Sequence, residues 1–155
     1  MDQDLLKQAP TEFVFPVEWG KCREFALALQ DPDPASPKPD DGGDDPAALL
    51  MPAIMPVCAF RYSQDGLPAI LRLAQAGLVD RSRLVQGEVE FEFHRRAWSG
   101  EQLSVTEKLA KVYDKETSKE VLRFFEFETA FRSLDGEPVC MIRTVNIERR
   151  RKDDD

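Results

Sequence analysis

From Val85 to Phe93 every odd position is apolar or glycine and every even position is polar, a strict period of two that runs on to His94. A backbone needs that alternation when it is a strand with one face buried and one face wet. The rest of the chain must then supply apolar cover for one side of a sheet. Three later segments read as strands as well: Leu103–Tyr113, Val121–Phe131 and Val139–Ile147. In the first of these the phase slips near Leu109–Val112, which predicts a bulge. In the second, Phe125, Phe127 and Phe131 share a face and Phe124 points oppositely. Ser99-Gly100-Glu101 marks a turn, and Asp135-Gly136 is a tight hairpin signal. Short connections between four consecutive strands predict an antiparallel meander. Phe13–Phe15 adds a strand at an edge.

Ahead of residue 83 the period is that of a helix. Cys22, Phe25, Ala26 and Leu29 recur at i, i+3, i+4 and i+7, so residues 17–30 form an amphipathic helix that Pro32 and Pro34 end. Residues 66–78 form a second, with Leu67, Ile70, Leu71, Ala74 and Leu78 on one face and Gly77 as its stop. Residues 51–62 are apolar but carry Pro52 and Pro56, which predicts turns and a short buried helix. The sum is an α+β domain, a curved antiparallel sheet of about five strands wrapped on one of these helices. It occupies residues 12–150, between an N-terminal tail (1–11) and a C-terminal tail (151–155).

Residues 31–46 break the pattern. They hold five of the eleven prolines, two adjacent glycines, six aspartates and one lysine, a local charge of -5. Nothing there can enter a core, so the segment reads as a solvated loop. Removing it leaves 20 basic and 23 acidic groups in the body of the chain. No broad basic face is available for a phosphate backbone, and nucleic-acid binding is not expected. No apolar run approaches a membrane span, and the acidic start MDQDLLKQAP does not resemble a secretion signal. A cytoplasmic location is expected. Three well-separated cysteines among apolar neighbours read as buried thiols, and a single histidine, His94, cannot build a multi-histidine metal site. No metal and no cofactor are expected.

The run Gly87-Glu88-Val89-Glu90-Phe91-Glu92-Phe93-His94-Arg95-Arg96-Ala97-Trp98-Ser99-Gly100-Glu101-Gln102-Leu103 resembles the strand and turn of the MaoC-like dehydratases, in particular their FAS1-like N-terminal dehydratase domain. Leu134-Asp135-Gly136-Glu137-Pro138-Val139, with Thr144 and Ile147-Glu148-Arg149-Arg150, is similar to that family's closing hairpin. Phe15-Pro16-Val17 and Arg23-Glu24-Phe25-Ala26 fit its opening, so the likeness spans residues 12–150. It implies the hot-dog fold, a sheet around a long central helix, and chemistry on acyl thioesters of coenzyme A or acyl carrier protein. Catalytic members use an Asp and a His in a motif of the type Asp-x-Asn-Pro-x-His. One group takes the C2 proton of a 3-hydroxyacyl thioester while the other protonates the leaving hydroxyl.

Here the chain departs from that pattern. Asp31 or Asp33 and Pro34 can be laid on the motif, but no His follows in the loop. The catalytic candidates are therefore reduced to Asp33 and His94, and His94 falls on the polar face of its strand with Glu88, Glu90 and Glu92. The resemblance implies a half that has lost its own catalytic pair and completes the acyl tunnel for a catalytic hot-dog partner, as a heterodimer or heterotetramer. Substrate contacts are expected from Met55, Phe60 and Tyr62 in the apolar 51–62 stretch, and Arg95 is a candidate for a phosphate of the carrier. Two other readings stand beside it: a self-sufficient homodimer using Asp33 and His94, and an acyl-CoA-binding or scaffold protein without dehydratase chemistry.

Overall fold

The computed structural model describes residues 5–30 and 48–152; the acidic loop and Asp33 lie outside them. Five strands form one antiparallel sheet: β1 (Thr11–Pro16), β2 (Leu84–Phe93), β3 (Gln102–Glu116), β4 (Glu120–Ser133) and β5 (Pro138–Arg151). Helix α1 (Trp19–Ala28), a 3-10 helix (Met55–Tyr62), helix α2 (Ala69–Gln75) and a 3-10 turn (Arg81–Arg83) complete the order. No helix among the described residues is long and apolar enough to cross a membrane.

The sheet order is β1-β3-β4-β5-β2. Thus β3, β4 and β5 form the expected meander, but β2 pairs with β5 instead of β3. The reason lies in the connection 94–101, which is not a hairpin. Ala97 and Ser99 exchange backbone hydrogen bonds with Met51 and Leu49, and Gly100 and Glu101 do the same with Val17, at 2.8 Å each. Those bonds carry the chain from the β2 edge to the far side of the sheet, where β3 meets β1. The turn thereby clamps the chain just before α1 and again at residues 49–51.

The sheet carries three register shifts, one of them between Phe131 and Arg132 where β4 meets β5. The β3–β4 register shifts between Leu109 and Lys111, as the phase slip predicted. A second shift lies between Gln86 and Glu88 in β2. Gly87 sits at that step, where a Cβ would stand 2.9 Å from Ile147 Cδ1. The bulge inverts the strand's parity. Val85 ends 44% exposed, while Val89, Phe91 and Phe93 pack on the core.

Two apolar clusters cover the core-facing side of the sheet. In the first, Phe15 stands edge-on to Tyr62 and to Phe131, with ring centroids 5.5 and 5.9 Å apart. Cys22 and Ala26 from α1 and Met55 and Ala59 from the 3-10 helix pack with them. Pro52 and Pro56 keep this central element to eight residues of 3-10 geometry, since neither supplies the backbone donor a longer α-helix needs. The second cluster joins Ile70 and Leu73 of α2 to Phe125 and Phe127. Leu5, in the segment read as a tail, is buried there too. Each large side chain so buried contributes about 1.5–3 kcal/mol.

Both helices are shorter than their apolar periodicity. Helix α1 ends at Ala28, Gln30 turns to a positive φ of 54°, and Leu29 is left exposed. Pro68 fixes the start of α2. At its end Gly77 adopts φ 72°, and Leu78 N–H donates to the Leu73 carbonyl while Gly77 N–H donates to Ala74. That pair of bonds is a Schellman stop, which only a residue tolerant of positive φ supports.

Candidate functional site

Between the two clusters lies a cavity of about 310 Å³. One wall is apolar: Pro56, Val57 and Phe60 from the 3-10 helix, with Ala69, Ile70 and Leu71 from α2. The opposite wall is the sheet, and it is not uniformly apolar. Phe127 and Ile142 share it with Glu107, Thr129, Thr144, Asn146 and Gln86. Gln86 reaches this wall because the Gly87 bulge turns it inward, against the alternation of the next six residues.

Glu107 is the one ionisable group of the lining among the described residues. Its carboxylate forms a tight ion pair with Arg72 of α2. Arg72 in turn donates to the Leu67 carbonyl at 2.6 Å and lies 3.4 Å from Asp65. Burial opposes ionisation of Asp65, yet hydrogen bonds from Leu67 N–H and the Ser63 hydroxyl, with the Arg72 charge, hold its carboxyl below the usual range. The Glu107 charge is thus neutralised by Arg72, and α2 is tied to β3 at the cavity's edge.

Of the residues expected to touch substrate, Phe60 lines the cavity. Met55 does not: it is 1% exposed, packed in the first cluster with its Sδ 3.7 Å from Cys22 Sγ. Tyr62 turns its hydroxyl to Glu18, which accepts at 3.0 Å, and so fastens the 3-10 helix to the start of α1. Burial, then that hydrogen bond, pushes its phenol up to about 12. Arg95 is engaged in the 94–101 turn, donating to Glu101 at 2.8 and 3.2 Å. His94 is exposed where β2 ends, its backbone N–H donating to the Val139 carbonyl at 2.9 Å. His94 is not among the described residues that line the cavity with Phe60, and Asp33 falls outside the described residues. Thr129, Thr144, Asn146, Gln86 and Glu107 were not singled out by sequence as a site. The legible signal was Gly87, a glycine in a strand interior, which marks a bulge and a change of face.

What the cavity can do chemically follows from this lining. It can enclose an apolar chain against one wall and offer hydrogen bonds from the other. Among the described residues, Glu107 is the one lining group that could exchange a proton near neutral pH.

A family model described as the FAS1-like, dehydratase domain region matches residues 8–142. A UPF0336 protein of Saccharopolyspora erythraea is 27% identical over 152 residues, covering 96% of this chain and 92% of that protein. Among solved structures, the ChsH1-ChsH2 complex from Mycobacterium tuberculosis is similar with a TM-score of 0.68 and 20% identity, over 98% of this chain and 94% of the other. The C-terminally truncated HadBC complex, a 3R-hydroxyacyl-ACP dehydratase of the same organism, gives a TM-score of 0.58 and 20% identity, over 90% and 96%.

Proposed function

The chain belongs to the FAS1-like dehydratase domain family and has the hot-dog fold of the MaoC-like dehydratases, and from that premise we propose that it is the non-catalytic, substrate-channel subunit of a heteromeric acyl-thioester dehydratase or enoyl hydratase of (R) specificity. One observation carries the reading: the cavity between the sheet and the 3-10 helix is built to enclose a chain, yet its one ionisable group among the described residues, Glu107, is already paired with Arg72.

Dehydration of a 3-hydroxyacyl thioester requires a base at C2 and an acid at the departing hydroxyl. The chain has one histidine, and it stands exposed at the end of β2. A hot-dog partner with its own Asp and His supplies the pair, while this subunit holds part of the acyl group against Phe60 and Val57. Two of the similar structures, ChsH1-ChsH2 and HadBC, are complexes whose names carry two components, which supports a heteromer of the same kind. The thioester carrier is coenzyme A or acyl carrier protein, and the assembly works in the cytoplasm.

The test is an enoyl-CoA hydration assay on the purified chain, alone and copurified with a catalytic hot-dog subunit. Activity only in the copurified form is expected. Robust hydration by the lone chain that disappears in Asp33→Asn or His94→Ala would replace this reading with that of a self-sufficient enzyme.

A further inference from the structure

The polar residues of the cavity are not scattered. Glu107 on β3 faces Thr129 on β4 in register, and Thr129 faces Ile142 on β5. Thr144 lies two residues beyond Ile142 on the same face, Asn146 two further, and Asn146 is paired with Gln86 on β2. The five positions therefore step across four adjacent strands, roughly 14 Å at the usual strand spacing, while shifting roughly 13 Å along β5. The Gly87 bulge is what completes it, by turning Gln86 to the cavity side.

The members of this diagonal other than Glu107 share a second property. Among the described residues, the side chains of Thr129, Thr144, Asn146 and Gln86 have no hydrogen-bond partner. Thr129, Thr144 and Asn146 are half-buried in the cavity lining, and Gln86 is exposed at its rim. A wall meant only for a saturated hydrocarbon chain gains nothing from hydroxyls and amides; a bound alkyl group would strip their water and return no hydrogen bond. A ligand with its own oxygen at the right depth returns it. Amide and hydroxyl groups both donate and accept, so they suit a neutral hydroxyl or ketone. The Glu107–Arg72 pair leaves the wall without a free charge to select an ionic ligand. The C3 hydroxyl is the leaving group and meets the partner's acid–base pair, so it does not account for this stripe.

From this juxtaposition we infer that the cavity selects acyl thioesters bearing a further neutral oxygen function, a hydroxyl or ketone, beyond C3. The inference rests on the reading of the cavity as an acyl pocket and narrows its substrate class.

Isothermal calorimetry on the full chain, with and without a catalytic partner, tests it with dodecanoyl-CoA and with hydroxydodecanoyl-CoA isomers hydroxylated at mid-chain and at the ω carbon. At least one hydroxylated isomer should bind roughly tenfold more tightly than the plain chain, the worth of about one good hydrogen bond. An apolar pocket would give the opposite order, because burying a hydroxyl without a partner weakens binding. The preference should vanish in Asn146→Leu and Thr144→Val. Gln86→Leu, at the exposed edge strand, provides a variant that keeps the fold if a central-strand change does not. Equal or weaker binding of every hydroxylated isomer overturns the inference and leaves the acyl pocket standing. Failure of all the ligands to bind, with the partner present, overturns the acyl pocket itself and this inference with it.

Discussion

Arg95 and Glu101 face each other across the turn that follows β2, with two guanidinium N–H groups donating to the two carboxylate oxygens at 2.8 and 3.2 Å. The same carboxylate accepts the Trp98 backbone N–H at 2.6 Å. The turn is also the clamp on Val17 and on residues 49–51, so this one carboxylate organises the place where three separate stretches of chain meet. Glu101→Ala should cost about 1–3 kcal/mol in urea denaturation, since it strands a backbone donor and a charged partner together. Arg95→Lys should recover little of the fork geometry while keeping the charge. Partial exposure of the pair sets the upper limit. Unchanged unfolding midpoints for both variants would reduce the turn to a solvated surface feature.

Gly87 and Ile147 offer a steric test of the bulge. A methyl group on Gly87 would meet Ile147 Cδ1 at 2.9 Å, the far end of a side chain that can move. Gly87→Ala should therefore destabilise by only about 0.5–1 kcal/mol, while Gly87→Val should approach the ~1–3 kcal/mol of an overpacked core. Adding Ile147→Val should recover part of the loss in Gly87→Ala. Additive effects in the double mutant would mean the two residues do not touch.

Much of this fold was legible because strands announce themselves by period. All five were readable, as were the β3 bulge, the Asp135-Gly136 turn and the Gly77 stop, where local chemistry decides the geometry. The partner of β2 was not. Which edge a strand joins depends on where the 94–101 connection is tied, and those ties run to Val17 and Leu49, distant in sequence. Leu29 and Leu78 belonged to apolar stripes but sit beyond helices that end early, so they are exposed. The candidate site was less legible still. Tyr62 and Met55 have the composition of a pocket wall, yet bonding to Glu18 and packing on Cys22 turn them elsewhere. The polar diagonal is a property of register across four strands, which no single segment displays.

The three thiols should be slow. Burial pushes Cys22 up to about 11 and Cys140 to about 12, and it raises Cys58 as well, against the pull of its backbone hydrogen bond and of Lys21 and Arg61. Near neutral pH almost no thiolate is present at any of them, and the thiolate is the reactive species. A colourimetric thiol reagent should show one slow equivalent from half-exposed Cys58 and release the other two only in denaturant. Rapid reaction of all three in the folded protein would show that the cluster around Phe15 and Phe131 opens readily.

Asp80 gives the stability a defined acid limb. The Ser82 hydroxyl and backbone N–H both donate to its carboxylate, and Arg83 lies beside it, so its carboxyl is held below the ordinary 3.8. A group depressed on folding contributes fully above its unfolded value and loses that contribution as pH falls through the folded one. Asp135, bonded by the Ser133 hydroxyl, has the same sign. The melting temperature should hold from neutral pH to about 5 and decline below about 4. Asp80→Asn should flatten part of that decline. A decline of the same depth in Asp80→Asn would assign it to other carboxylates.

Ala69 provides the direct test of the cavity. It is the first residue of α2 and lines the space opposite Phe127, outside the fully buried core. Ala69→Phe should fill much of the space that an acyl chain would take, while the helix start tolerates the change. Acyl-CoA binding should weaken by roughly tenfold or more, the penalty when a pocket can no longer admit several methylenes. The melting temperature should move by only about 2–4 °C, equivalent to about 1 kcal/mol or less. Val14→Phe, on an exposed face of β1, is the matched control and should leave binding unchanged. Retained affinity in Ala69→Phe, with the fold intact by circular dichroism, would place the acyl group outside this cavity.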